Sequence, residues 1–429
     1  MSIFERLESE VRGYCRSWPT VFASAHGHTM VAEDGTEYLD FFAGAGALNY
    51  GHNHPVLIEA LQRHLSEQGF IHALDISTTT KRMFMERFEE LILQPRGLDH
   101  KIQFPGPTGT NAVEAALKLA RKATGRHRVV GFTNGFHGMT LGSLAVTGNA
   151  MKRGGAGVPL GDSASMPFAN YLGDDTDSLH ILEAMISGGS SGLDEPAAVI
   201  VETTQGEGGI NPASRQWMRN LDDICKRHGI LLIIDDIQVG CGRTGPFFSF
   251  EEMGIDPDIV TLSKSISGSG LPMALVLIKP EYDVWAPGEH NGTFRGNNAA
   301  FVTATAALDH FWCDDELTRS TAAKSDQARA GLQSIMDRHP GLFTDVRGRG
   351  LLLGIEAAVP EIGAAVARGA YERGLIIETA GAEDEVVKLL PPLVVTDEAI
   401  DRALEILDEV ADSINDEMVD DLRREEVAS

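Results

Sequence analysis

Three apolar runs in this sequence end in residues that can do chemistry. Val199-Ile200-Val201 leads into Glu202, Leu231-Leu232-Ile233-Ile234 into Asp235, and Val260-Thr261-Leu262-Ser263 into Lys264. The spacings of 33 and 29 residues each match about one strand-helix-strand unit. In an open parallel sheet the ligand crevice lies outside the carboxyl ends of the strands, so residues far apart in sequence converge there. Two acids and a lysine would then share one pocket. Taken singly, each has a plainer reading, since a strand-end acid is often a helix cap and most lysines are solvated charges.

Lys264 lies in Ser-Lys-Ser-Ile-Ser-Gly-Ser-Gly, a loop of small residues. At the mouth of an apolar pocket an ammonium is desolvated and its pKa falls, which yields a free amine for imine chemistry. The small neighbours leave room for a bulky group on the nitrogen. A second cluster is Pro107-Thr108-Gly109-Thr110-Asn111-Ala112. Asn111, with Glu114 three residues on, reads as an N-cap with a capping box. Gly109 and Thr110 would present backbone N–H groups at a helix start, a ready phosphate site. The third is Asn134-Gly135-Phe136-His137-Gly138. Phe136, between glycines, either lies flat on a planar ring or packs into the core.

The elements that must hold these residues are legible in outline. Residues 2–17 read as an amphipathic helix, and residues 28–42 as a hairpin with Asp34-Gly35 at its turn. From about residue 55, helical patterns alternate with short apolar strands, the signature of an α/β layer. The clearest strands are Arg128–Phe132, Ala198–Val201, Ile230–Ile234 and Ile259–Leu262, apolar without alternation and so buried on both faces. From about residue 316 the pattern becomes helix, strand, helix, strand, helix, then an acidic tail that reads as frayed. The expected organisation is an N-terminal helix and hairpin (1–54) packing with a small domain, a large domain (55–315), and a C-terminal α+β small domain (316–429).

Composition narrows the classes. Of 429 residues, 62 are acidic and 36 basic, a net charge of −26, and only ten of the basic residues are lysine. Such a surface repels phosphate backbones, which argues against nucleic-acid partners. It suits a salt-rich cytoplasm, where screening softens self-repulsion, though acidic proteins are common in general. Cys15, Cys225, Cys241 and Cys313 are scattered, which argues against a zinc site or disulfide framework and for a reducing compartment. There is no signal-peptide pattern and no apolar run near the roughly 18 residues of a membrane helix. The expectation is a cytoplasmic protein that does not associate with membranes.

Together these segments resemble the class III pyridoxal-phosphate aminotransferases of fold type I, from about Tyr38 to Thr396. Asp235-Asp236-Ile237-Gln238-Val239-Gly240-Cys241-Gly242-Arg243-Thr244-Gly245 is similar to that family's D-E-x-Q-x-G-x-G-R-T-G, and Asp258 to Lys264 follows at its spacing. Glu202 to Gly209 is similar to E-P-x-Q-G-E-G-G, with Thr203 in place of proline. Gly51-His52-Asn53-His54-Pro55 and Gly292-Thr293-Phe294 match two further elements. The resemblance implies a large domain with a mostly parallel seven-stranded sheet, a smaller α+β domain and pyridoxal 5'-phosphate as cofactor.

It also implies roles. Lys264 would carry the cofactor and move the proton, and Asp235 would keep the pyridine nitrogen protonated. Gln238 would bond the ring hydroxyl, Phe136 would stack on the ring with His137 beside it, and Gly109 and Thr110 would hold the phosphate. Thr293 would reach a partner subunit's phosphate, implying a homodimer at least, with shared sites. Lys388, before Leu389-Leu390-Pro391-Pro392-Leu393, stands where many members have an arginine for the substrate carboxylate, and Glu207 matches that arginine's partner. Lysine is a point charge rather than a fork, so Lys388 is either that ligand or an ordinary surface lysine. The opening segment, the Pro-Pro-Leu segment and the Asp235 run resemble one subfamily, which passes the amino group of glutamate to aspartate 4-semialdehyde in ectoine synthesis. Other ω-aminotransferases (4-aminobutyrate, ornithine or acetylornithine types) and mutases or racemases of the same fold would share the cofactor residues.

Overall fold

The computed structural model describes residues 2–173 and 177–414. The acidic tail expected to fray lies outside the described residues. Seven strands form the central sheet, in the order Lys101–Gln103, Leu275–Ile278, Ile259–Leu262, Leu231–Asp235, Ala198–Val201, Val129–Phe132 and Ser163–Met166. The last five run parallel to one another, and Leu275–Ile278 is antiparallel to both of its neighbours. Ala198–Val201, Leu231–Asp235 and Ile259–Leu262 are buried at every position. Helix Gly109–Thr124 covers one face of the sheet. Its buried stripe of Ala112, Val113, Ala116, Leu117 and Ala120 packs with Val129, Ala198, Ile200, Leu231 and Ile233.

A second sheet is wholly antiparallel: Phe343–Arg349, Leu352–Ala357, Val386–Leu389 and Glu378–Ala380. Helices Glu316–Arg338 and Asp397–Ser413 pack together beside it. The N-terminal hairpin is Thr29–Ala32 with Glu37–Asp40, and Phe22–His26 adds a third, antiparallel strand. Glu37–Asp40 also pairs in parallel with Leu375–Ile376, so the start of the chain is sewn to its C-terminal third.

The continuous helix expected over residues 2–17 is not formed. The chain makes two short helices, Ile3–Leu7 and Tyr14–Ser17, with Gly13 as the N-cap of the second. Glycine costs about 1 kcal/mol in a helix interior, and helices this short depend on tertiary contacts. The second helix has such a contact, because Tyr14 and Trp18 both pack on the ring of Phe42. A second correction concerns the start of helix Gly109–Thr124. Its N-cap is Thr108, with Asn111 at the third helical position rather than at the cap. Glu114 is not a capping-box partner. It accepts hydrogen bonds from the Thr140 hydroxyl and the Gly142 and Ser143 backbone N–H groups.

Candidate active site

Strand register brings the three strand-end residues side by side. Ile234 is level with Val201, and Asp235 with Thr261, so Glu202, Asp235 and Lys264 emerge from adjacent strands. Asp235 is buried; its Oδ2 accepts from Nδ1 of His137 at 2.7 Å and its Oδ1 from the Thr261 hydroxyl at 3.2 Å. Burial pulls the His137 pKa down, but the hydrogen bond and charge of Asp235 outweigh it, and the net shift is upward. Glu202 accepts from the backbone N–H groups of Phe136 at 2.9 Å and Gly206 at 3.1 Å. Burial nevertheless pushes its pKa up to about 7, against the opposing charge of His137.

Lys264 adopts a left-handed backbone, with φ 52°. For a residue with a Cβ this costs about 1 kcal/mol, so the surrounding structure must hold it there. Its Nζ donates to the carbonyl of Ala45 at 2.7 Å, in a turn where Ala45 is itself left-handed. Desolvation lowers its pKa, opposed first by the charge of Glu207.

Gly109 and Thr110 occupy the first turn of their helix, whose N–H groups have no intrahelical acceptors. The Thr110 hydroxyl bonds those of Thr140 and Ser143, at 2.7 Å each. Phe136 is half-buried, and the Lys152 ammonium lies 4.6 Å from its ring centroid. Gln238 donates through Nε2 to the Ala45 carbonyl at 3.0 Å and to Glu207 at 2.9 Å. Its Oε1 is buried without a hydrogen-bond partner among the described residues. Thr293 is exposed on a loop, where its carbonyl accepts from His72 Nε2 at 2.7 Å.

Lys388 is not a surface lysine; its side chain has no exposure at all. Its Nζ lies 2.7 Å from Glu207 and 2.8 Å from Glu378. These two acids raise its pKa although burial alone would lower it. Glu207 is correspondingly lowered by Lys388 against its own burial. Glu378 escaped the sequence reading. The available signal was one acid directly after Leu375-Ile376-Ile377, at a position where a buried strand would be expected to stay apolar. Its position beside Lys388 follows from strand pairing, for the two are cross-strand partners in the antiparallel sheet.

A lysine amine with a lowered pKa, an acid with its own histidine and an open helix start are parts that suit a phosphorylated aldehyde cofactor. The comparisons agree. The family model for class-III aminotransferases matches residues 15–411, and the chain belongs to this family. Among its relatives, a diaminobutyrate--2-oxoglutarate transaminase of Nocardia farcinica is 59% identical, covering 96% of this chain and 94% of the relative. One of the same name from Bordetella parapertussis is 54% identical over 97% and 96%. In three dimensions the chain resembles a Bacillus anthracis aminotransferase (TM-score 0.86, 27% identity, 96% and 97% covered). It also resembles the ornithine aminotransferase of Toxoplasma gondii (TM-score 0.83, 26% identity, 96% and 94% covered).

The cofactor of this enzyme is pyridoxal phosphate, and the residues present fit it. The orphaned Oε1 of Gln238 is an acceptor awaiting a hydroxyl. A Cβ on Gly206 would stand 1.7 Å from that oxygen, so the glycine keeps it accessible.

Proposed function

We propose that this aminotransferase moves the amino group of L-glutamate to the aldehyde of L-aspartate 4-semialdehyde, giving L-2,4-diaminobutyrate and 2-oxoglutarate. The structural observation that carries the reaction type is the convergence of Lys264, Asp235 and Glu202 on adjacent strand ends. The substrate assignment is supported by relatives of that name at 54–59% identity over nearly the whole chain.

Pyridoxal phosphate, when bound, supplies a ring that takes up the electron pair left when the reacting carbon loses its proton. Lys264 would hold the cofactor through Nζ. As a free amine, Nζ would take the proton from the amine-bearing carbon and pass it on within the same half-reaction, and in the second half-reaction it would deliver one to the acceptor's former aldehyde carbon, ending each turnover unchanged. Asp235, oriented by His137, keeps a proton on the ring nitrogen. Gln238 Oε1 would accept from the ring hydroxyl and Phe136 would pack against the ring. Gly109 and Thr110 bind the phosphate at the positive end of their helix. Thr293 completes that phosphate site in a second copy of the chain, making the working unit at least a homodimer. The exposed position of Thr293 and the 67% exposure of Phe294 beside it support this arrangement. The setting is cytoplasmic osmoadaptation through ectoine synthesis, in keeping with the acidic composition and four unpaired cysteines.

The test is a coupled assay of purified, cofactor-loaded protein with glutamate and aspartate semialdehyde. Diaminobutyrate and 2-oxoglutarate should form in equal amounts. Turnover of ornithine or 4-aminobutyrate without diaminobutyrate would move the assignment to another ω-aminotransferase. In the reverse direction, diaminobutyrate consumed without any need for 2-oxoglutarate would make the enzyme a mutase or racemase.

A further inference from the structure

The trio of Glu207, Lys388 and Glu378 carries two negative charges and one positive, and its members differ in access. Lys388 is fully enclosed, the Glu378 side chain is 8% exposed, and that of Glu207 is 19% exposed. Glu378 and Lys388 face each other across two strands, so their pairing is fixed by the backbone. Glu207 comes from the loop after Glu202 and is the most exposed of the three. Gln238 bonds the same Oε1 that Lys388 does, leaving Oε2 of Glu207 without a hydrogen bond among the described residues.

The charge balance decides what such a group can bind. A substrate carboxylate arriving at Lys388 would be a third anion on one enclosed cation, or would have to displace an acid from it. An ammonium arriving at Glu207 would be a second cation against two anions. We propose that Glu207 reads the α-ammonium of a diamino acid substrate, and that Glu378 is the specificity-determining residue behind it, keeping Lys388 occupied so that the trio stays net negative. This rests on the function proposed above. It departs from the expectation that Lys388 itself receives a substrate carboxylate.

The chemistry offers a clean comparison. 2,4-Diaminobutyrate and 4-aminobutyrate have the same carbon chain, the same terminal amine and the same carboxylate, and differ only in the α-ammonium. Single-turnover half-reactions of the loaded enzyme, followed by cofactor absorbance, give kcat/KM for each. In wild type the diamino acid should be strongly preferred. In Glu378→Gln and in Glu207→Gln that preference should fall by about 10- to 150-fold, the range for a lost charge-assisted hydrogen bond, with the change mainly in KM for diaminobutyrate. If Glu378→Gln fails to fold, Glu207→Gln, which alters a more exposed side chain, carries the test alone. An unchanged preference in the folded variants, with a gain in the glutamate half-reaction instead, would overturn the inference and restore Lys388 as a carboxylate ligand. Wild-type enzyme that uses diaminobutyrate but does not prefer it to 4-aminobutyrate would overturn the inference alone. Wild-type enzyme that does not use diaminobutyrate at all would overturn the function and this inference together.

Discussion

Two lysines, half-buried Lys264 and fully buried Lys388, lie in one site and are tuned in opposite directions. Each loses hydration, and each has acids nearby. Lys264 ends lowered, because desolvation outweighs the charge of Glu207 and its Nζ bonds the neutral carbonyl of Ala45. Lys388 ends raised, because two carboxylates stand within 2.8 Å. At an effective dielectric of about 20, one opposite charge at that distance contributes about 6 kcal/mol, and two exceed the several kcal/mol lost on burying an ammonium. The first lysine is left reactive and the second is locked. Their settings explain why. Lys264 hangs from a parallel strand's carboxyl end, where side chains point into a crevice, whereas Lys388 sits inside an antiparallel pair opposite an acid.

The contrast breaks most sharply at Lys264. Lys264→Ala should lower turnover by at least roughly 10²- to 10⁴-fold, the scale of a lost general base, with loss of the covalent link added to it. Borohydride treatment of loaded wild-type enzyme should label the peptide containing Lys264 and no other. Label on Lys388 would reverse the assignment of the two lysines.

Lys388 should act on stability first. Lys388→Met strips the cation from two buried acids and should cost about 3–5 kcal/mol in denaturant unfolding, as for other broken buried pairs. Combining it with Glu378→Gln should recover part of that loss. A cost below about 1 kcal/mol would mean that the trio is not holding the junction between the two sheets.

Asp235→Asn should reduce turnover by roughly 100-fold or more, while phosphate contacts still retain the cofactor. Because Asp235 raises the His137 pKa, an NMR titration of His137 should show that pKa falling in the variant. A His137 titration that does not move would place its charge partner elsewhere.

The smallest effect concerns Glu202 and Asp236, both raised by burial to about 7. The folded protein then holds protons that the unfolded chain has released, so stability should fall as pH rises from about 4.5 to about 7. Glu202→Gln should flatten that slope by about 1–3 kcal/mol across the window, measured by unfolding of cofactor-free protein at a series of pH values.

The sequence alone determined the parts that depend on local pattern. Strand Ala198–Val201 ends where its apolar run ends, and Ile259–Leu262 is interrupted only by Thr261, whose hydroxyl is bonded to Asp235, because a strand buried on both faces admits a polar side chain only where it finds a partner. That rule also placed Glu202, Asp235 and Lys264 at strand ends. Tertiary structure decided what local pattern left degenerate. Thr108 with Asn111 and Asn111 with Glu114 both have capping spacing, and the choice fell one turn earlier because Glu114 is engaged by Thr140, Gly142 and Ser143, 26 to 29 residues away. Arg243, conspicuous in its motif, turned out to be fully buried. It ties the Leu351 and Pro391 carbonyls to Asn49, three segments whose meeting no spacing reveals. Lys388 is the clearest case. Its burial, its partners and the direction of its pKa all follow from a strand pairing with Glu378, ten residues away, and from a loop 181 residues away. A point charge carries no pattern of its own, so only the fold could say what it faces.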